Sequence, residues 1–163
     1  MLKVGGEIAD GVLLNYLPAS HVPWSVEQVR AAGDATIYAY IHAAVTDRDR
    51  YADAARKDLF SYAVVNAYGN NFARAGYSDD VEALRAAHAE RDRDGALAAI
   101  GDAMLDGIQI LGDAAHVGTA VREYVDNGVD VPIVFPCPWG EDRAATVRAT
   151  MSAAIGGEAS APN

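Results

Sequence analysis

The segment from Thr36 to Val45 constrains this chain most. It is apolar almost throughout, carries no Pro or Gly, and is rich in residues that favour extended backbone. Such a run predicts a parallel strand covered on both faces. Side chains alternate along a strand, so its two faces differ. Ile37, Ala39, Ile41, Ala43 and Val45 share one. Thr36, Tyr38, Tyr40, His42 and Ala44 share the other, which is the more polar.

Flanking patterns place this strand in an alternating series. Met1 to Ala9 reads as a helix with Val4 and Ile8 on one face and no capping side chain before it. Asp10-Gly11 breaks it, and a strand is expected over 12–16. Ser25 with Gln28 suggests a capping box for a second helix, which Gly33 ends. After the long strand, Thr46 with Asp49 suggests another capping box. A helical block follows, with caps expected at Ser78 and Asp94 and breaks at Gly69, Gly76 and Arg91-Asp92-Arg93. Ile108 to Leu111 can be a short extended segment.

The clearest helix then begins at Asp113. Val117, Ala120, Val121, Tyr124 and Val125 follow helical spacing, and Asn127-Gly128 stops it. Val131 to Phe135 reads as a third buried strand, ended by Pro136-Cys137-Pro138. A last helix is expected from Glu141 to Ile155, with Val147, Met151 and Ile155 on one face. Alternation of this kind implies an α/β fold with parallel strands and right-handed crossovers. Three strands cannot close a barrel, so they read as part of a larger sheet. Residues 1–155 form one unit, and the small, polar tail 156–163 is expected to fray.

The 163 residues carry 23 Asp and Glu against 13 Lys and Arg, a net charge of -10. Such a surface repels phosphate backbones and anionic lipid, so neither nucleic acid nor membrane is expected as a partner. No basic-then-apolar leader and no run near the ~20 residues of a membrane span is visible, which makes the cytoplasm the expected compartment. Cys137 is the single cysteine, so no intramolecular disulfide can form.

Several phrases, taken in order, resemble the luciferase-like monooxygenase family, and in particular its branch that uses the deazaflavin coenzyme F420. They are Gly6-Glu7-Ile8-Ala9-Asp10-Gly11-Val12-Leu13-Leu14-Asn15, then Tyr40-Ile41-His42-Ala43-Ala44-Val45-Thr46, then Gly112-Asp113 with Val117 and Tyr124. Gly128-Val129-Asp130-Val131-Pro132-Ile133-Val134 and the turn Pro138-Trp139-Gly140 complete the series. The resemblance implies the C-terminal part of a TIM-type (β/α)8 barrel, with a helical insertion and with the first five strands lacking a counterpart. It implies an oxidoreductase or monooxygenase that moves a hydride or activates oxygen with F420 or FMN at the barrel mouth, acting on a small molecule. Because the early strands of the family carry much of the cofactor pocket, the chain alone is expected to bind cofactor weakly or not at all. The other expectation is a non-catalytic, truncated module that pairs with itself, as a homo-oligomer, or with a chain supplying the N-terminal half of the barrel.

Function in such a barrel sits at the C-terminal ends of strands. Asn15 there can hydrogen-bond a cofactor or substrate, or serve as a turn residue before Pro18. Tyr40 and His42 face the expected lumen. His42 can be a proton donor or pocket group, or a hydrogen-bonded core histidine. Trp139 can wall a ring-binding pocket or pack the strand-to-helix turn. No residue is singled out as catalytic. Cys137 has no evident base and reads as a small buried filler. The histidines at 21, 42, 88 and 116 lack metal-ligand spacing, and Gly5-Gly6 has no preceding strand to make a phosphate loop. Tyr51, Phe60, Tyr62, Tyr68 and Phe72 read as helical core.

Overall fold

A computed structural model describes residues 1–156. Apart from Gly156, the expected tail 156–163 lies outside them. The chain begins with helix α1 (Leu2–Ile8), strand β1 (Gly11–Leu14), helix α2 (Val22–Arg30) and strand β2 (Thr36–Val45). A helical block follows: α3 (Arg48–Ala63), α4 (Asn66–Phe72), α5 (Ser78–Ala89), α6 (Arg93–Ala98) and α7 (Asp102–Ile108). Strand β3 (Gln109–Gly112), helix α8 (Ala114–Asp126), strand β4 (Val131–Pro136) and helix α9 (Arg143–Ala154) complete it.

Strand β2 is the hub, paired in parallel with each of the other three. β1 pairs along Thr36 to Ala39, β3 along His42 to Val45, and β4 along Tyr38 to Ala43. The β4 register overlaps both others, so β1 and β3 lie end to end along one edge of β2, and β4 takes the opposite edge. The short extended segment expected over Ile108 to Leu111 is thus a fourth strand, shifted by one residue to Gln109–Gly112 because Ile108 closes α7. β1 stops at Leu14, two residues before the expected end, because Tyr16 has a left-handed backbone with φ 48 that no strand can accommodate.

The two faces of β2 support two cores, as the alternation predicts. Ile37, Ala39, Ile41 and Ala43 pack against α2, α8 and α9. Ala44, with Tyr16, Leu111 and Cys137, packs against the helical block. Leu59, Leu84, Met104 and Leu105 are fully buried there. Each such side chain contributes about 1.5–3 kcal/mol relative to exposure. The block therefore sits across the C-terminal ends of the strands and makes the floor of a site.

Several helix starts differ from expectation. Ser25 lies inside α2, where its hydroxyl donates to the His21 carbonyl, since the turn Ala19–His21 leads directly into the helix and Pro23 occupies its first turn. Asp47, not Thr46, caps α3 by accepting from the Asp49 and Arg50 amides. Ser78 caps nothing: α5 follows a π-type turn, Ala73–Tyr77, which breaks at Gly76 with φ 107, as expected of that glycine. Asp92, not Asp94, caps α6. Gly69 is within α4 rather than at a break. Asp113 caps α8 as expected, accepting from the His116 amide, though Val125 on that helix is exposed.

β4 is not buried: Val131 and Phe135 are exposed. The stripe Val147, Met151, Ile155 does not form the inner face of α9 either. Thr146, Thr150 and Ala153 do, because the Thr150 hydroxyl accepts the Val45 amide beyond the end of β4 while donating to the Thr146 carbonyl. Val4 and Ile8 on α1 are likewise exposed, and that helix packs instead through Gly6.

Candidate functional site

The end of β1 carries the centre of the site. Asn15 is followed by Tyr16, whose left-handed backbone is uncommon for an aromatic residue. That turn swings the Tyr16 ring back over the lumen face of β2. The ring lies 4.1 Å from the His42 ring and 3.9 Å from that of Tyr62 on α3. Its hydroxyl donates to Asp58 Oδ2 at 2.9 Å, and the buried Gln109 side chain at the start of β3 donates to the same oxygen at 2.8 Å. Cys137 Sγ stands 4.0 Å from Gln109 Oε1. One carboxylate from the helical block thus joins the ends of β1 and β3.

Asn15 bridges in the other direction. Its Nδ2 donates to the Tyr68 hydroxyl at 3.4 Å, and its Oδ1 lies 3.1 Å from His42 Nε2. With Nδ2 spent on Tyr68, Oδ1 accepts, so the neutral imidazole carries its proton on Nε2. Burial holds His42 below its ordinary pKa, against a smaller opposing effect of the Asp58 charge. Burial, with hydrogen bonds to Tyr62 and Asp58, raises Tyr16 far above the usual phenol range. Burial, helped by the Asp58 charge, pushes the Cys137 thiol up to about 12, so it stays a thiol at neutral pH.

Beside this cluster a cleft of about 600 Å³ opens between β1, α2 and α4. Leu13, Leu14, Leu17 and Trp24 give it apolar walls, and Asn15 and Tyr68 bring the polar cluster to its lining. The structure therefore unites Asn15 and His42. Tyr40 is half-buried, two residues before His42 on the same face, and makes no side-chain hydrogen bond among the described residues. Trp139 packs against the helical block, away from the cleft. Tyr16, Asp58, Tyr62, Tyr68 and Gln109 are the members that sequence reasoning passed over. A signal was present: Asp58 interrupts the apolar stripe Ala55, Leu59, Tyr62, and Gln109 interrupts Ile108 to Leu111.

Among the described residues, no group of His, Cys, Asp and Glu is placed to hold a metal, and no helix is long and apolar enough to cross a membrane. No curated protein matches the sequence significantly. Residues 1–131 match the family described as luciferase-like monooxygenase. The chain belongs to that family. Among solved structures, the luciferase-like chain is similar to the coenzyme F420 dependent tetrahydromethanopterin reductase from Methanopyrus kandleri, at 24% identity and a TM-score of 0.71. The match covers 96% of this chain and 47% of the reductase, so the chain spans about half the length of that relative. At this identity the likeness establishes the fold, a partial luciferase-like barrel.

Proposed function

We propose that this chain forms part of the site of an F420- or FMN-dependent oxidoreductase of the luciferase-like family, with F420 preferred, working on a small molecule in the cytoplasm. The observation that carries the reading is the Asn15–His42–Tyr68 chain of hydrogen bonds at the C-terminal end of parallel strands, beside an apolar-walled cleft. The lining suits such a cofactor: Trp24, Leu14 and Leu17 offer flat apolar surface, and the Asn15 amide and Tyr68 hydroxyl can meet a polar ring edge. When bound, the cofactor supplies the hydride or oxygen chemistry. Asn15 and Tyr68 would orient it, while neutral His42 holds a proton at Nε2 behind Asn15.

The test is titration of F420 and of FMN into the chain alone and into the chain mixed with a polypeptide supplying the missing barrel strands. Alone, binding is expected to be weaker than micromolar, above about -8 kcal/mol. With the strands supplied it should tighten, and Asn15→Ala should weaken it. If neither cofactor binds in either arrangement, or Asn15→Ala and His42→Ala bind as the parent does, the reading fails.

A second reading is a non-catalytic module that pairs with itself or with a chain carrying the N-terminal half of the barrel. It is supported by where apolar side chains are left exposed. Seven of the eleven large ones among the described residues lie on the two outermost helix–strand pairs or just past them: Val4, Ile8 and Leu13 on α1 and β1, Val131, Phe135 and Met151 on β4 and α9, and Ile155 at the end of α9.

A further inference from the structure

We propose that Tyr16 is a redox-active tyrosine: it gives one electron to an aromatic oxidant in the cleft while its phenolic proton passes to Asp58. The natural oxidant, a photoexcited or one-electron-oxidising ring of the flavin class, rests on the oxidoreductase reading. The test of the Tyr16–Asp58 pair does not.

The partner of the hydroxyl carries the argument. A phenol that loses an electron becomes a strong acid, so its oxidation is easy only where a base already holds the proton. Among the described residues, Tyr16 is the tyrosine whose hydroxyl donates to a carboxylate, at 2.9 Å. Tyr124 donates to the Leu17 backbone carbonyl, and Tyr68 accepts from Asn15, so neither of those contacts supplies a base. The Gln109 amide donates to the same Asp58 oxygen at 2.8 Å and holds it toward the phenol. A ring needed for packing alone would be served by phenylalanine, which brings no hydroxyl into a buried site.

The step balances within the pair. The O–H bond of Tyr16 breaks and an O–H bond forms at Asp58 Oδ2, while the electron reduces the oxidant by one. A neutral phenoxyl radical is left beside a neutral carboxylic acid, so the pair passes from one negative charge to none. Tyr16 is 2% exposed, and a low-dielectric surrounding favours the loss of that charge. Burial, with the hydrogen bonds of Tyr62 and Asp58, keeps the phenol protonated at physiological pH, so the proton leaves only together with the electron.

The surroundings provide a route and a shield. The Tyr16 ring is stacked on Tyr62 at 3.9 Å, tilted against His42 at 4.1 Å, and meets Tyr68 edge-on at 6.0 Å. Tyr68 lines the cleft, so an aromatic path runs from a molecule held there to Tyr16. Burial keeps water and solutes from the radical once it has formed.

The experiment oxidises the chain with flash-generated tris(bipyridine)ruthenium(III), which needs no bound cofactor. Transient absorption and electron paramagnetic resonance follow the tyrosyl radical. The parent is expected to form a long-lived radical, more slowly in deuterium oxide than in water, at a rate that is constant across neutral pH. Tyr16→Phe should remove it, and Tyr51→Phe, elsewhere on α3, should not. Asp58→Asn keeps the shape and loses the base. It should slow formation by roughly 100-fold or more and make the rate rise with pH, as solvent bases take the proton. The isotope and pH measurements are read on the parent, so they decide the matter even where a variant folds poorly. Illuminated FMN, added with a polypeptide that supplies the missing strands, separates the two readings. A radical with the ruthenium complex but none with FMN would defeat the cofactor reading and leave the Tyr16–Asp58 pair standing. Equal radical yield and lifetime in Tyr16→Phe and the parent, an unchanged rate in Asp58→Asn, or no isotope effect in the parent overturns the proposal.

Discussion

Tyr16 donates its phenolic hydroxyl to Asp58 at 2.9 Å, tying the end of β1 to the middle of α3 across 42 residues of sequence. The bond holds an aromatic residue in the left-handed region, and the neighbouring Asn15 meets His42 from the same turn. Tyr16→Phe should cost about 1.5–3 kcal/mol, the range for a hydrogen bond to a charged group. Asp58→Ala should cost more, because it strands both the Tyr16 hydroxyl and the Gln109 amide. Chemical denaturation of both variants and of the double variant tests this. Additive losses would show that the two residues do not act as a pair.

Close backbone approach joins α1 to the end of α2 and the loop after it. A Cβ on Gly6 would collide with the Val29 carbonyl oxygen, and a Cβ on Gly33 with that of Gly6. Backbone cannot swing aside as a side chain can, so Gly6→Ala and Gly33→Ala should each destabilise by about 1–3 kcal/mol. The comparison is Ala86→Ser on the exposed side of α5. Melting temperatures of the three variants decide the matter, and an unshifted Gly33→Ala protein would contradict the packing.

The single thiol should be inert in the folded chain. Cys137 is buried, and its pKa of about 12 leaves almost no thiolate at pH 8. Iodoacetamide should label it only after unfolding, as followed by mass spectrometry in rising urea. Rapid labelling without denaturant would show that the wall between β4 and the helical block opens.

His42 and His21 link stability to pH with a definite sign. Burial lowers both below the ordinary value of 6.5, assisted at His21 by the charge of Arg74. The unfolded chain then binds more protons than the folded one as pH falls below about 6.5. Their contribution is fully present above that pH and is lost progressively toward the folded-state values. Unfolding free energy should therefore decline on acidification from pH 7, and His42→Gln should flatten the decline. A parent protein equally stable at pH 7 and pH 5.5 would count against it.

Assembly should follow the uncovered sheet ends. Leu13 is 47% and Phe135 50% exposed, one at each outer strand. Unpaired strand edges with apolar side chains favour association. The parent is expected to self-associate as concentration rises, and Leu13→Lys with Phe135→Lys should shift it toward monomer. Sedimentation velocity over a wide concentration range measures this. A parent that stays monomeric throughout, with a melting temperature independent of concentration, removes the pairing idea.

The sequence by itself determined the elements that local patterns control. The bounds and two faces of Thr36–Val45 could be read directly, because alternation along a strand is a local property. So could Asp113 as a cap and the order of strands and helices apart from β3. Asn15 and His42 were also visible, as polar residues on an apolar strand or at its end. Tertiary structure decided the rest. Whether Val147, Met151 and Ile155 or Thr146, Thr150 and Ala153 face inward depends on the Val45 amide seeking a partner, which no window on α9 reveals. Gln109–Gly112 became a strand because β2 offered it an edge past the end of β1. The network of Tyr16, Asp58 and Gln109 joins three elements far apart in sequence. It forms because a carboxylate on the buried side of α3 must find donors, and only the folded chain brings a phenol and an amide to the same oxygen.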